Sequence, residues 1–166
     1  DLQDETIEAG VSDTLVVRGF TFKGSGAGTI SEPRKTSPDG FIYHTTSNSG
    51  LNGKLVVEDN IFKTSAEGEY RFIDTDNTAT IRIEDNFFTG KSDAGVEVNA
   101  GQSGSADYSF IGNTFADLAD KGLALRVHDE ATGTLEIESN NFVWNSNSAI
   151  QTGWSGAGDY THASFT

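Results

Sequence analysis

Five stretches of the chain carry the same arrangement of apolar and polar positions: 15–22 (LVVRGFTF), 55–62 (LVVEDNIF), 81–88 (IRIEDNFF), 108–115 (YSFIGNTF) and 135–142 (LEIESNNF). Each begins with alternating apolar residues, passes a small or acidic residue, and ends in Asn-x-Phe. Only the first copy departs, with Phe20 in place of Asn. The closing Phe residues are Phe22, Phe62, Phe88, Phe115 and Phe142; the last three intervals are 26, 27 and 27, and the first is 40. A second alternating run opens eight residues after a Phe, at Tyr70, Val96, Leu123 and Ile150, with Phe41 opening its counterpart after the long interval. Period-two alternation predicts strands with one face turned to a core.

A period near 27 with two strands per repeat predicts a solenoid whose coils stack about 4.8 Å apart. Stacking then aligns Phe62, Phe88, Phe115 and Phe142 as an internal column and Asn60, Asn86, Asn113 and Asn140 as a ladder. Asn suits such a bend because it tolerates left-handed φ and can bond to the next coil. The outward columns predicted on the first strand are Arg18, Glu58, Glu84, Ile111, Glu138 and Val16, Val56, Arg82, Ser109, Glu136. On the second they are Ile42, Arg71, Glu97, Ala124, Gln151, beside His44, Ile73, Asn99, Arg126. Glu58 over Glu84 sets like charges together, which costs energy unless Arg82, solvent or a cation intervenes.

The Φ-x-Φ-x-x-N-x-F coil resembles the right-handed parallel β-helix proteins of the pectate-lyase-like superfamily, and the likeness runs from about Ile7 to the end. It implies an all-β chain, a right-handed parallel β-helix of about six coils of roughly 27 residues. Residues 1–166 are then a single β-helix domain or segment, with an insertion loop at 23–40 and an incomplete last coil at 150–166. Residues 7–21 and 150–166 also resemble each other, which sets Tyr160 opposite Leu15 and Phe165 opposite Phe20. Three readings of that likeness stand: a segment of a longer protein, copies stacked head to tail, or a complete chain whose ends merely share the coil repeat.

Composition narrows the function classes. The formal charge of −14 repels nucleic acid and anionic lipid, so neither is an expected partner. It also suits a solvated, salt-tolerant surface. With no Cys there is neither a disulfide framework nor a thiolate metal site. No apolar run approaches a membrane span, and a mature extracellular or cell-surface chain is the simplest expectation.

Fold likeness of this kind spans lyases, hydrolases, adhesins and inert spacers. The lyase resemblance implies a base and a cation for the uronate carboxylate. Lys121, Arg126 and His128 (KGLALRVHD) are the residues for it, loosely similar to a segment of alginate- and chondroitin-type lyases. Asp74, Asp76 and Asp85 echo the start and end of a Ca²⁺ loop without its central Gly. Trp144 and Trp154, with Asn145, Asn147 and Gln151, could stack on and hydrogen-bond to sugar rings. No base and acid cluster in the sequence. The expectation is therefore a non-catalytic structural or adhesive module with no obligate cofactor, self-associating end to end or contacting a polysaccharide. The alternative is a segment of a lyase acting on uronate polymers.

Overall fold

The computed structural model describes residues 2–3, 7–9, 14–24, 41–45, 51–101, 104–127, 131–153 and 163–165. They form a parallel β-solenoid without helix. One six-stranded sheet is built from the strands that open the motif, Thr14–Arg18, Asn52–Glu58, Thr78–Glu84, Asp107–Ile111, Leu135–Glu138 and Ala163–Phe165, each parallel to the next. A ten-stranded sheet holds most of the rest of each coil, because Ile61–Asp76 and Phe87–Ala100 run on round a corner and join what would otherwise be two faces, and Gly104–Ser105 pairs with Ala131–Thr132 as a small separate sheet. The stack amounts to about three turns, against about six coils expected from the motif. The motif counts every strand of the six-stranded sheet, but at the two ends only isolated strands of a coil are described.

Inside, the alternation does what the sequence predicts. Leu55, Val57, Ile81, Ile83, Tyr108 and Phe110 are buried from one sheet, and Ile73, Val96, Val98, Leu123 and Leu125 from the other. Between them runs the aromatic column. Phe22, Phe62, Phe88, Phe115 and Phe142 stack nearly parallel, with centroids 4.7, 4.8, 4.8 and 5.0 Å apart. Strand spacing alone sets that distance, and it falls within the range where offset rings attract. Phe41 and Phe72 wedge in at the next corner, 5.4 Å from Phe22 and 5.9 Å from Phe88. In later coils the same corner is Gly95 and Gly122. A Cβ on Gly122 would stand 2.6 Å from the Phe142 ring and from the Ala149 carbonyl oxygen, so only glycine fits there.

The Asn ladder is continuous and internal. The amide oxygens of Asn60, Asn86, Asn113 and Asn140 accept the backbone N–H of Phe20, Asn60, Asn86 and Asn113 at 2.9, 3.0, 3.0 and 3.0 Å. Their NH₂ groups donate back to carbonyls such as Val57 (from Asn86, 2.8 Å) and Ile83 (from Asn113, 2.8 Å). The left-handed backbone falls one residue earlier than expected, on Gly19, Asp59, Asp85, Gly112 and Ser139. The Asn side chain must point inward to reach those carbonyls, so the sharp turn passes to the small or acidic residue before it.

Register corrects two further expectations. Ile42, Ile73, Val96, Leu123 and Ile150 share one inward column, and Tyr43, Asp74, Glu97, Ala124 and Gln151 the adjoining outward one. Arg71 therefore pairs with Ala94 and Lys121, not with Glu97, and His44 lies level with Thr75 rather than Ile73. The cause is extra length: register shifts between Thr64 and Arg71 absorb residues that the other coils lack. At the end of the chain, Ala163 and Phe165 pair with Leu135 and Ile137, which puts Phe165 level with Val17 and not with Phe20. Residue-for-residue pairing of Ala163–Phe165 with the strand Leu135–Glu138 fixes that register. Lys23 and Gly24 belong to a strand, Thr21–Gly24, and the remainder of the 23–40 insertion lies outside the described residues.

Candidate functional site

Two places on the outer surface gather chemistry. The first lies where the corner after the Phe column meets the following strand. Asp93, Asp120 and Asn147 occupy one level position in successive coils, and Arg71, Ala94, Lys121 and Ser148 the next. Lys121 Nζ sits 3.5 Å from Asp93 and is hydrogen-bonded to Asp120. Asn147 Nδ2 donates to the other Asp120 oxygen at 2.6 Å. Arg71 bonds Glu97 and approaches Asp93 at 4.0 Å. Arg126 donates to Glu97 at 2.6 Å, so Glu97, almost wholly buried, is held between two guanidinium groups. A carboxylate so placed is stabilised only because both partners are present.

The carboxyls of Asp93 and Asp120 are driven apart in acidity. Burial is the largest influence on Asp93 and raises its pKa above the usual carboxylate value, outweighing Lys121. Burial also acts on Asp120, but hydrogen bonds from Lys121, Asn147 and Asp93 overcome it and lower its pKa. The stability consequences are opposite in sign. Asp93 contributes fully below the ordinary Asp value of about 3.9 and loses that contribution as pH rises through its raised pKa. Asp120 contributes above about 3.9 and loses it as pH falls through its lowered pKa. Side-chain carboxyl NMR should find Asp93 protonating at higher pH than Asp120; the reverse order would refute the pairing.

The lyase candidates are thus placed but not assembled. Lys121 lies between two carboxylates, and Arg126 lies on Glu97 in another column. His128 and Trp154 lie outside the described residues. Asp74 is buried beside Glu97 in register, Asp76 accepts the Tyr43 hydroxyl at 2.7 Å, and Asp85 stands at the Asn corner. Asp74 and Asp76 lie two residues apart on one strand, Asp85 lies at a corner between strands, and among the described residues no three His, Asp or Glu side chains could hold a metal ion together. On the first sheet, Arg82 does intervene between Glu58 and Glu84, at 3.6 and 2.6 Å, while Arg18 bonds Glu58 from the other side. Sequence reasoning passed over Asp93 and Asp120. The signal was there: with Asn147 they fall five residues after Phe88, Phe115 and Phe142.

The second place is Trp144. It occupies the corner column of Gly90 and Asp117, all three with positive φ. Gly and Asp are residue types that bear this conformation; a bulky indole is not. Trp144 has φ 55° and is 85% exposed. Beside it Asn145 Oδ1 accepts the Leu118 N–H at 3.2 Å, while its buried Nδ2 has no hydrogen-bond partner. Gln151 is exposed on the outward column of Glu97 and Ala124. No protein-family model, curated protein or solved structure matches this chain.

Proposed function

We propose that the chain is a non-catalytic, extracellular module of right-handed, pectate-lyase-like build, a rigid solenoid that contacts glycans through Trp144. The observation that carries this reading is the exposed indole held in left-handed backbone. Such a residue costs on the order of 1–2 kcal/mol, and strain of that kind is retained where the projected group has a task. An aromatic face open to water offers apolar and CH–π contact to a pyranose ring, and the exposed Gln151 supplies an amide nearby in sequence, whereas the Asn145 amide is turned inward. A lyase would need Lys121 or Arg126 open to the polymer, but the Lys121 side chain is largely buried between two carboxyls and Arg126 is bonded to Glu97.

Retardation on gels containing cellulose, chitin, pectin or alginate tests the contact. Wild-type protein should be retarded by at least one of them and Trp144→Asn by none. The same substitution should raise stability by about 1 kcal/mol, since Asn accepts the backbone that strains Trp. Migration of the wild type unchanged by all four polymers, or a Trp144→Asn protein less stable than wild type, would remove the proposal. End-to-end association of copies is the self-contact this build favours. Asn141–Val143 and Ser148–Thr152 pair on one side only among the described residues, and their free edges suit another parallel strand.

A further inference from the structure

The charged corner contains a set of groups that ion pairing alone does not require. A primary amine, Lys121 Nζ, and a primary amide, Asn147, are bonded to the two oxygens of one carboxylate, Asp120. They come from neighbouring coils, since Lys121 pairs with Ser148 and the Lys121–Val127 and Ser148–Thr152 strands lie side by side. The Lys121 side chain is only 11% exposed. A second carboxyl, Asp93, stands 3.5 Å from the same Nζ. Arg71 approaches Asp93 and bonds Glu97, which also carries Arg126, and Asp74 adds its charge beside Arg71.

We propose that Lys121 and Asn147 condense into an isopeptide bond, Nζ to Cγ, which staples these two coils together covalently. Asp120 fixes amine and amide on one carboxylate, so that their approach is intramolecular and prearranged. Asp93 receives a proton from the Lys121 ammonium, and its raised pKa suits it to hold that proton. The neutral Nζ then attacks the Asn147 carbonyl carbon. The Nζ–Cγ bond forms, the Cγ–Nδ2 bond breaks, and the second Nζ proton passes to the departing nitrogen, which leaves as ammonia. Ammonia takes up the proton from Asp93, so the balance is one ammonium and one amide in, one substituted amide and one ammonium ion out. No oxidant or cofactor is required. In a chain without cysteine, this is a route to a covalent cross-link that a disulfide cannot supply.

Intact-mass measurement of the purified, folded chain tests it directly. The wild type should weigh less than its sequence by one ammonia, and proteolysis should yield a branched peptide joining Lys121 to Asn147. Lys121→Arg keeps the charge and Asn147→Ser alters an exposed side chain; both should fold, as judged by circular dichroism, and show full mass. Asp120→Asn should also show full mass. A folded wild type of full mass overturns the proposal. So does a deficit that persists in Lys121→Arg, which would place the ammonia loss at a succinimide such as Asn52–Gly53 could form. A branched peptide from Asp120→Asn would overturn the part assigned to Asp120.

Discussion

Replacing Asn113 by alanine should destabilise the protein by about 3–4 kcal/mol, as several buried polar groups lose their partners at once. Asn113 is fully buried. Its Oδ1 accepts both the backbone N–H and the side-chain amide of Asn86 at 3.0 Å, and its Nδ2 donates to Ile83 O at 2.8 Å and to Asn140 Oδ1 at 3.0 Å. Alanine offers none of these, and the site is closed to solvent. Asn113→Asp should fare no better at neutral pH, because a carboxylate cannot donate to Ile83 O and would face the Asn140 oxygen. Equilibrium urea unfolding of the two variants measures the loss. A change below about 1 kcal/mol for Asn113→Ala would mean that the ladder is decoration on a stack held by other forces.

Phe88→Ala should cost about 3–5 kcal/mol, the range for removing a buried aromatic and leaving its cavity. The upper part of that range is expected. Phe88 stacks on Phe62 and Phe115, both at 4.8 Å, and touches Phe72 as well, so three ring contacts vanish together. Backbone pairing fixes the coils above and below, so neither Phe62 nor Phe115 can slide into the gap. Phe20→Ala is the matched control. Phe20 is half-exposed at the end of the ladder, and its loss should be felt weakly. Equal losses at the two positions, read from urea midpoints, would show that the internal column is not what holds the coils.

Both predictions concern features that can be read from the sequence, and the reason is local. A Phe, an Asn or an apolar residue repeated every 26 or 27 positions has one chemical role in every coil, and stacking makes those roles coincide. What could not be read was lateral alignment. The run YRFI offers apolar residues on both parities, Tyr70 and Phe72 on one and Ile73 on the other. Alternation alone is satisfied either way. Pairing of Ile73 with Val96 resolves it, and it carries Asp74 into the column where Arg71 was expected. The candidate site suffered the same blindness. Lys121 and Arg126 stand out as cations in the sequence, and Asp120 is the chain neighbour of Lys121, but Asp93 and Glu97 become their partners only across coils.

By itself the sequence determined the period, the inward Phe and Asn columns, and the all-β class, because each follows from side-chain type repeated along one strand direction. The tertiary structure alone decided which charges meet, which residue takes the left-handed turn, and that Trp144 is thrust into solvent. Those outcomes depend on how many residues each corner consumes before the chain rejoins its neighbour. Corner length is set by hydrogen bonding between coils, a contact between residues far apart in the chain that no single repeat contains.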